Sequence, residues 1–371
     1  MECYSCTRFD CKFFKFMDLY RQNRGPSGDP GLLQSETPGI SIVIPSMNRR
    51  GTLKSTLDSL CALNYDRNRL EVIVVDGDGT GEVNRILTQY PFKVVTDDGT
   101  GLNRARNIGF VNATHEIVAF TDDDCLVPPD WATKIVDSFS LPEVGFVGGK
   151  VLGFSEEELL SRYIDETIIP ATATFAERTI TREVELFKFP AGCNMAFRRD
   201  ALRSIDLLDE RINYGFDDLE ALERIVAAGY VLVLNPDVKV VHNHRSRMKD
   251  FLKQNFRYGR GAMLFLLTKR KESMLYRWIS NFLLAVCIGV MIVFLPPIAA
   301  FVLNMPFLTL FSPVLLAAPW VALIGFYKKR SARTLNLKKL LLYPLIDILR
   351  GFSFVLGSAL QLLMHSFSAK R

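Results

Sequence analysis

Two stretches of this chain, 279–301 and 307–326, contain no charged side chain. Each is near the ~20 residues with which an α-helix crosses a hydrocarbon layer. Apolar residues run all round both, so neither offers a face to water, and a buried hairpin in a soluble core is the weaker reading. Asn304-Met-Pro306 separates them as a tight turn. Lys269, Arg270, Lys271 and Arg277 precede the pair, and Lys328, Lys329, Arg330 and Arg333 follow it. Basic residues on both flanks put both flanks, and whatever precedes them, on the cytoplasmic side. Residues 339–364 are apolar again but hold Asp347 and Arg350, spaced for an ion pair on one helix face. They read as a third span or as a helix lying in the membrane plane. The basic tail Lys370-Arg371 favours the in-plane form.

The remainder is of a different kind. The chain has 371 residues, enough for a sizeable core plus an appendage. Its mean hydropathy is +0.14, and most of that excess lies after residue 277. Charged residues are 23%, which excludes general disorder. The net charge of +5 comes with no basic run interleaved with aromatics, so nucleic acid is not an expected partner. Seven scattered cysteines make no disulfide framework and suit a reducing compartment. Residues 1–37 hold Cys3, Cys6 and Cys11, but a zinc knuckle would need a fourth ligand and no His or Cys follows nearby. That segment reads as a loose or locally helical arm. The apolar patch 13–17 is too short for a signal peptide and is broken by Lys15. The chain therefore divides into an arm (1–37), a soluble module (38–260) and a membrane-associated helical region (261–371).

Within the module, Ile40–Pro45 and Leu70–Val75 are β-branched runs that read as buried strands. Phe92–Val95 and Glu116–Phe120 are shorter runs of the same type. Leu53, Leu57 and Leu60 recur at helical spacing, and Asn103–Val111 reads as a helix. Strands separated by helices of this length argue for an α/β fold, a mostly parallel sheet with both faces covered. In such sheets ligands collect outside the carboxyl ends of the strands. Asp76 and Asp122 fall there.

Asp122, Asp123 and Asp124 directly follow an apolar strand, where three like charges repel one another. A divalent cation resolves the conflict, and hard oxygen donors suit Mg²⁺ or Mn²⁺ with substrate phosphates. An acidic turn or helix cap before Pro128-Pro129-Asp130-Trp131 is the alternative. Asp76, with Asp78 beside it in a glycine-rich turn (Gly77, Gly79, Gly81), shifts the balance to a nucleotide diphosphate site. His242 and His244 follow the apolar run Val238–Val241, and alternation puts them on one face. Imidazole can complete a metal shell of aspartates, and His242 is the candidate ligand.

Seven segments in order, IVIPSMNR, EVIVVDGDGTGE, GLNRARNIGF, AFTDDDCLVPPDW, AGCNMAFRRDAL, YGFDDLEALERIVAAGY and VVHNHR, resemble glycosyltransferase family 2, whose catalytic domain has the GT-A nucleotide-binding fold. They span about residues 38–260. The resemblance implies that Pro45 and Asn48 line the nucleotide pocket and that Asp76 recognises the base. It implies that Arg106 and Asn107 sit beside the nucleotide sugar. Asp122 and Asp124 become the D-x-D pair, Asp122 toward ribose or metal and Asp124 on the metal, with Asp123 sharing in this. Asp218 becomes the general base, and Asp217 stands where the family usually has Glu. The region of Gly192-Cys-Asn194 and Arg198-Arg199, placed after a strand-like run, is one the family uses to shape the acceptor and donor-sugar pocket; the two arginines read either as near the diphosphate or as a salt-bridged surface pair. Gln254-Asn-Phe-Arg257-Tyr258 resembles the Q-x-x-R-W motif of processive synthases, with Arg257 able to reach the donor diphosphate; an amphipathic helix lying on the membrane surface is the alternative.

An inverting transfer is an in-line displacement at the anomeric carbon. The acceptor hydroxyl loses a proton to a carboxylate as it attacks, while the leaving diphosphate gains charge that a cation neutralises. The expected protein is a membrane-anchored inverting hexosyltransferase. It takes a UDP- or GDP-linked sugar and Mg²⁺ or Mn²⁺ and acts on a lipid-linked acceptor, such as a polyprenyl phosphate or its glycan. A polysaccharide synthase, a catalytically inactive nucleotide-binding scaffold and a nucleotidyltransferase are the rivals.

Overall fold

β-Branched runs that end in serine or aspartate lie side by side in the computed structural model. It describes residues 38–47, 50–154, 159–167, 175–185, 190–212, 215–269, 273–303, 321–328 and 336–368. The cysteines of the N-terminal arm, Asn48 and most of the expected span 307–326 lie outside these residues. The described residues fall into two units. One holds those within 38–154, 175–212 and 218–243, the other those within 159–167, 215–217 and 244–368.

The first unit runs β1 (Ile40–Ser46), α1 (Arg50–Cys61), β2 (Leu70–Asp76), α2 (Glu82–Leu87), β3 (Lys93–Thr96), α3 (Leu102–Asn112), β4 (Ile117–Phe120), β5 (Cys125–Leu126), α4 (Trp131–Ser138) and β6 (Val144–Gly153). The second unit takes up α5 (Leu159–Glu166), and the first resumes with β7 (Thr179–Thr181), β8 (Met195–Arg198), α6 (Arg199–Ser204), α7 (Asp217–Ala227) and β9 (Val231–His242). The strands form a single sheet in the order β3-β2-β1-β4-β8-β6-β9-β5, with β7 on β9. β1 through β4 are parallel to one another, as are β6 and β9. β8 runs antiparallel to both β4 and β6, so the sheet is mixed.

Alternation along the strands covers both faces. Ile40, Ile42, Ile44, Val72 and Val74 pack with Leu53, Leu57 and Leu60 of α1 and with Trp131 of α4. Val43, Ile73 and Val75 pack on the other face with Ala105 and Phe110 of α3 and with Leu222 and Ile225 of α7. α3 comes close because it meets the sheet at Gly109, where a Cβ would lie 2.2 Å from Val43 Cγ1.

β9 is regular in two halves. Its register against β6 jumps between Gly149↔Asn235 and Lys150↔Lys239. Pro236 lies in that bulge, where a missing N–H breaks no ladder. The second half of β9 then continues to β5, pairing His242 with Cys125. Asn194 holds this junction together. Its amide donates to the carbonyls of Lys150 and Val238, each at 2.9 Å, and its Oδ1 accepts from Trp131 Nε1 at 3.0 Å. Gly149 leaves room for it, since a Cβ there would lie 2.2 Å from Asn194 Nδ2. Asn194→Ala strands three buried partners, so a loss of about 2–4 kcal/mol is expected. Thermal unfolding followed by circular dichroism should show the apparent Tm lower by about 5 °C or more.

The second unit contains α5, α8 (Met248–Thr268), α9 (Met274–Val302) and α10 (Leu337–Ser368). Tyr163, Tyr327 and Tyr343 form its aromatic centre, with edge-on rings 5.2 Å apart for each neighbouring pair. Asp347 accepts from Tyr163 at 2.6 Å, Tyr327 at 2.5 Å and Thr167 at 3.1 Å. Arg350 donates to Asn255 at 2.8 Å and to Thr167 at 3.3 Å. The two charges that the sequence spaces for a pair thus meet through Thr167. Among the described residues, Leu337–Phe367 is the helix long and apolar enough to cross a membrane; the expected span 279–301 falls within α9.

Candidate active site

Parallel strands end their carbonyl-side tips together, and the tips here are acidic. The register matches Ser46 with Asp76 and Asp76 with Thr96, so β1, β2 and β3 end level. Asp76 is buried, and its Oδ1 accepts the Asp78 N–H at 3.0 Å, which closes the turn after β2. Pro45 pairs with Val75 and lies past Val43–Phe120, the last β1–β4 pair.

β4 stops at Phe120, and the three aspartates that follow diverge instead of sharing one space. Asp122 Oδ1 lies 3.6 Å from Arg106 Nη2. Asp123 Oδ2 accepts from Ser46 Oγ at 2.8 Å. Asp124 turns toward β9, where His242 Nε2 stands 3.3 Å from its Oδ1. The like-charge conflict is therefore divided among a cation, a hydroxyl and an imidazole. Arg106 is only 2% exposed, and its guanidinium lies over Gly192, where a Cβ would come within 2.7 Å of Nη2.

Asp124, Cys125 and His242 bring a carboxylate oxygen, a thiol sulfur and an imidazole nitrogen within 4.8 Å of one another. Cys125 is wholly buried, and burial pushes its thiol well above the ordinary value, with Cys193 as hydrogen-bond neighbour. It enters as a neutral wall. The carboxylate and imidazole that remain are a donor pair a divalent cation accepts, with positions left for substrate oxygens. Asp122, expected as a ligand, lies against Arg106.

Asn107 is buried and its amide is engaged by the segment after α6. Nδ2 donates to Leu208 O at 2.9 Å and Glu210 Oε1 at 3.0 Å, and Oδ1 accepts the Leu208 N–H. Asn103, one turn earlier, donates to Asp209 O and Ile212 O. The pair fixes residues 208–212, just upstream of the acidic turn at Asp217-Asp218. Gly215 and Phe216 both have positive φ, 107° and 68°. For Phe216 that conformation is strained, and such strain clusters at functional sites. α7 starts immediately after, and Asp218 Oδ1 accepts the Leu219 N–H at 2.9 Å. The half-buried carboxylates of Asp217 and Asp218 thus sit in a helix's first turn, where the macrodipole favours negative charge.

One expectation needs correction. β9 ends at His242, so alternation does not carry His244 to the same face; its Nε2 lies 3.0 Å from Asp165 Oδ1 in the second unit. Gly192-Cys-Asn194 directly precede β8. Arg198 stands opposite Ile117, the first residue of β4, and so at the far end from Asp122. It binds Glu116 and the carbonyls of Phe139, Val144 and Leu141, while Arg199 donates to His115 O. These arginines close the amino end of the sheet. Arg257 is exposed on α8 of the second unit.

Sequence reasoning passed over Ser46 and Cys125. Ser46 needed the Val43–Phe120 register, from which the step of three to Ser46 equals that to Asp123. Cys125 needed the β5–β9 pairing, for which the sequence carries no local sign.

Residues 41–206 match the family model described as Glycosyl transferase family 2. The chain is 28% identical over 262 residues to the glycosyltransferase AglE of Haloferax volcanii, covering 67% of this chain and 82% of that protein. It is 26% identical over 178 residues to a glucosyl-dolichyl phosphate glucuronosyltransferase of the same organism, covering 45% of this chain and 54% of that one. Among solved structures, the mannosyltransferase PcManGT of Pyrobaculum calidifontis, determined with GDP-Man and Mn²⁺, is similar in fold. The TM-score is 0.56 at 19% identity, over 95% of both chains.

Proposed function

We propose that this glycosyltransferase of GT-A fold, whose residues 41–206 match the family 2 model, inverts the anomeric centre of a nucleotide-linked sugar while passing it to a lipid-linked acceptor at the cytoplasmic membrane face. The observation that carries the reading is the divergence of the three aspartates at the tip of β4, which gives one carboxylate to an arginine and one to an imidazole.

In this reading Asp76, Asp78 and Pro45 receive the nucleoside at the ends of β1 and β2. Arg106, kept in place by Asp122 and by the space over Gly192, faces the donor diphosphate. Asp124 and His242 hold the divalent cation, which supplies charge neutralisation for the departing diphosphate. Asp218 takes the acceptor's proton, and Asp217 orients it. Asn103 and Asn107 act as positioning residues through 208–212. The imidazole donor favours Mn²⁺ over Mg²⁺, the harder ion. A GDP-linked sugar is preferred on the likeness to PcManGT, and a dolichyl-type phosphate acceptor on the likeness to the glucuronosyltransferase.

The test uses the full chain in native membranes, with labelled UDP- and GDP-sugars offered against extracted lipid. Transfer of label to lipid is expected with Mn²⁺, with a loss of at least about 100-fold in excess chelator and recovery on adding Mn²⁺ back. Activity that survives chelation removes the metal from the scheme. Label that appears only in long water-soluble glycan replaces the lipid acceptor with a polysaccharide.

A further inference from the structure

α10 is amphipathic in the reverse sense for a protein surface. Tyr343, Asp347, Arg350, Phe354, Ser358 and Gln361 fall on one face at helical spacing, and that face is turned inward. It bonds Tyr163, Tyr327, Asn255, Gly259 O and Arg260. Leu341, Leu345, Leu349, Leu356, Leu360 and Leu363 fall on the opposite face and are 39–56% exposed. Apolar side chains outward and polar ones inward is the arrangement demanded by a hydrocarbon solvent.

Length alone would let α10 cross a bilayer, and its neighbour decides against this. α8 runs beside α10 in parallel. Leu252 O accepts from Ser353 Oγ at 2.7 Å, Gly259 O accepts from Ser358 Oγ at 2.9 Å, and Arg260 Nε donates to Gln361 at 3.1 Å. The backbones almost touch, since a Cβ on Gly259 or Gly357 would fall 1.9 Å from the Phe354 or Phe256 carbonyl oxygen. Each α8 residue is therefore level with the α10 residue about one hundred positions later. Lys249, Lys253 and Arg257, spaced by four on α8, are exposed. They stand level with the middle of α10. If α10 spanned, these charges would lie near the bilayer midplane with no water to receive them.

We propose that α8 and α10 form a monotopic platform. α10 lies in the membrane plane with its leucine face among the acyl chains, and the Lys249–Lys253–Arg257 row contacts the phosphates of anionic lipids. The length of the leucine face, about 33 Å from Leu341 to Leu363, then runs along the surface, and cationic side chains beside an apolar face match a negatively charged interface. This extends the membrane-acceptor reading above by naming the lipid class and the contact.

The experiment needs no sugar transfer, so its failure is separate from failure of the activity. p-Acetylphenylalanine carrying a nitroxide, which leaves the native cysteines alone, replaces Leu341, Leu349, Leu356 or Leu363 in the full chain. Each protein is reconstituted in vesicles of phosphatidylcholine, with or without phosphatidylglycerol, and depth is read from collisions with oxygen against a nickel chelate. All four labels are expected at one depth within about 5 Å, less than a helix diameter. Phosphatidylglycerol should raise the inserted fraction about threefold or more, and the double variant Lys249→Gln, Lys253→Gln should remove that rise. Hydrogen exchange of the unlabelled chain in the same vesicles should protect Leu341–Leu363 uniformly. A profile in which Leu349 and Leu356 lie about 12 Å deeper than Leu341 and Leu363 overturns the proposal in favour of a span. Four labels open to the nickel chelate overturn it in favour of a face that meets no lipid, and insertion indifferent to phosphatidylglycerol removes the anionic contact.

Discussion

Asp124→Ala is expected to lower kcat/KM for sugar transfer by about a thousandfold or more, equivalent to at least about 4 kcal/mol of transition-state stabilisation. Mn²⁺ binding, followed by electron paramagnetic resonance, should disappear with it. The carboxylate is nearly inaccessible, faces His242 at 3.3 Å and has a neutral thiol beside it. Substitution by alanine removes the anionic donor from the group and leaves the His242 imidazole and the Cys125 thiol in place. The neighbours supply the internal control. Asp122→Ala removes the carboxylate 3.6 Å from the Arg106 guanidinium, so it should weaken donor binding more than metal binding. Asp123→Ala leaves Ser46 Oγ without its 2.8 Å acceptor, and thermal stability should fall before activity does. If Asp122→Ala abolishes Mn²⁺ binding while Asp124→Ala retains it, the two roles are exchanged.

Asp218→Asn should lower kcat by about 10²–10⁴, the range for removal of a general base. Donor affinity, measured by calorimetry with the nucleotide sugar, should stay within about threefold, because the amide keeps the size of the side chain and can still accept the Leu219 N–H. A parallel fall in donor affinity and turnover would mean that Asp218 binds donor and does not take the proton. Asp217→Asn is expected to have the smaller effect on kcat.

Much of the α/β unit was legible. Ile40–Pro45 and Leu70–Val75 became β1 and β2 within one residue, because a β-branched run ended by a turn residue has few other stable forms. Arg106 and Gly109 were legible as a segment, yet their work was not. One needs empty space at Gly192, and the other needs Val43 close enough to exclude a Cβ. Both are long-range facts. His244 was misread because alternation holds only while a strand lasts, and nothing local marks its end at His242.

What the sequence determines by itself is periodic: which residues form strands, which share a helix face, and that acidic groups follow the strand ends. Those properties depend on backbone geometry within a few residues. The tertiary structure alone decides where three adjacent aspartates go, since Ser46, Arg106 and His242 arrive through strand register and helix packing from 77, 16 and 118 positions away. It also decides which face of α10 is outward. Helical period separates leucines from polar residues, but only the hydrogen bonds to Tyr163, Asn255 and Gly259 show that the polar side is the one turned in.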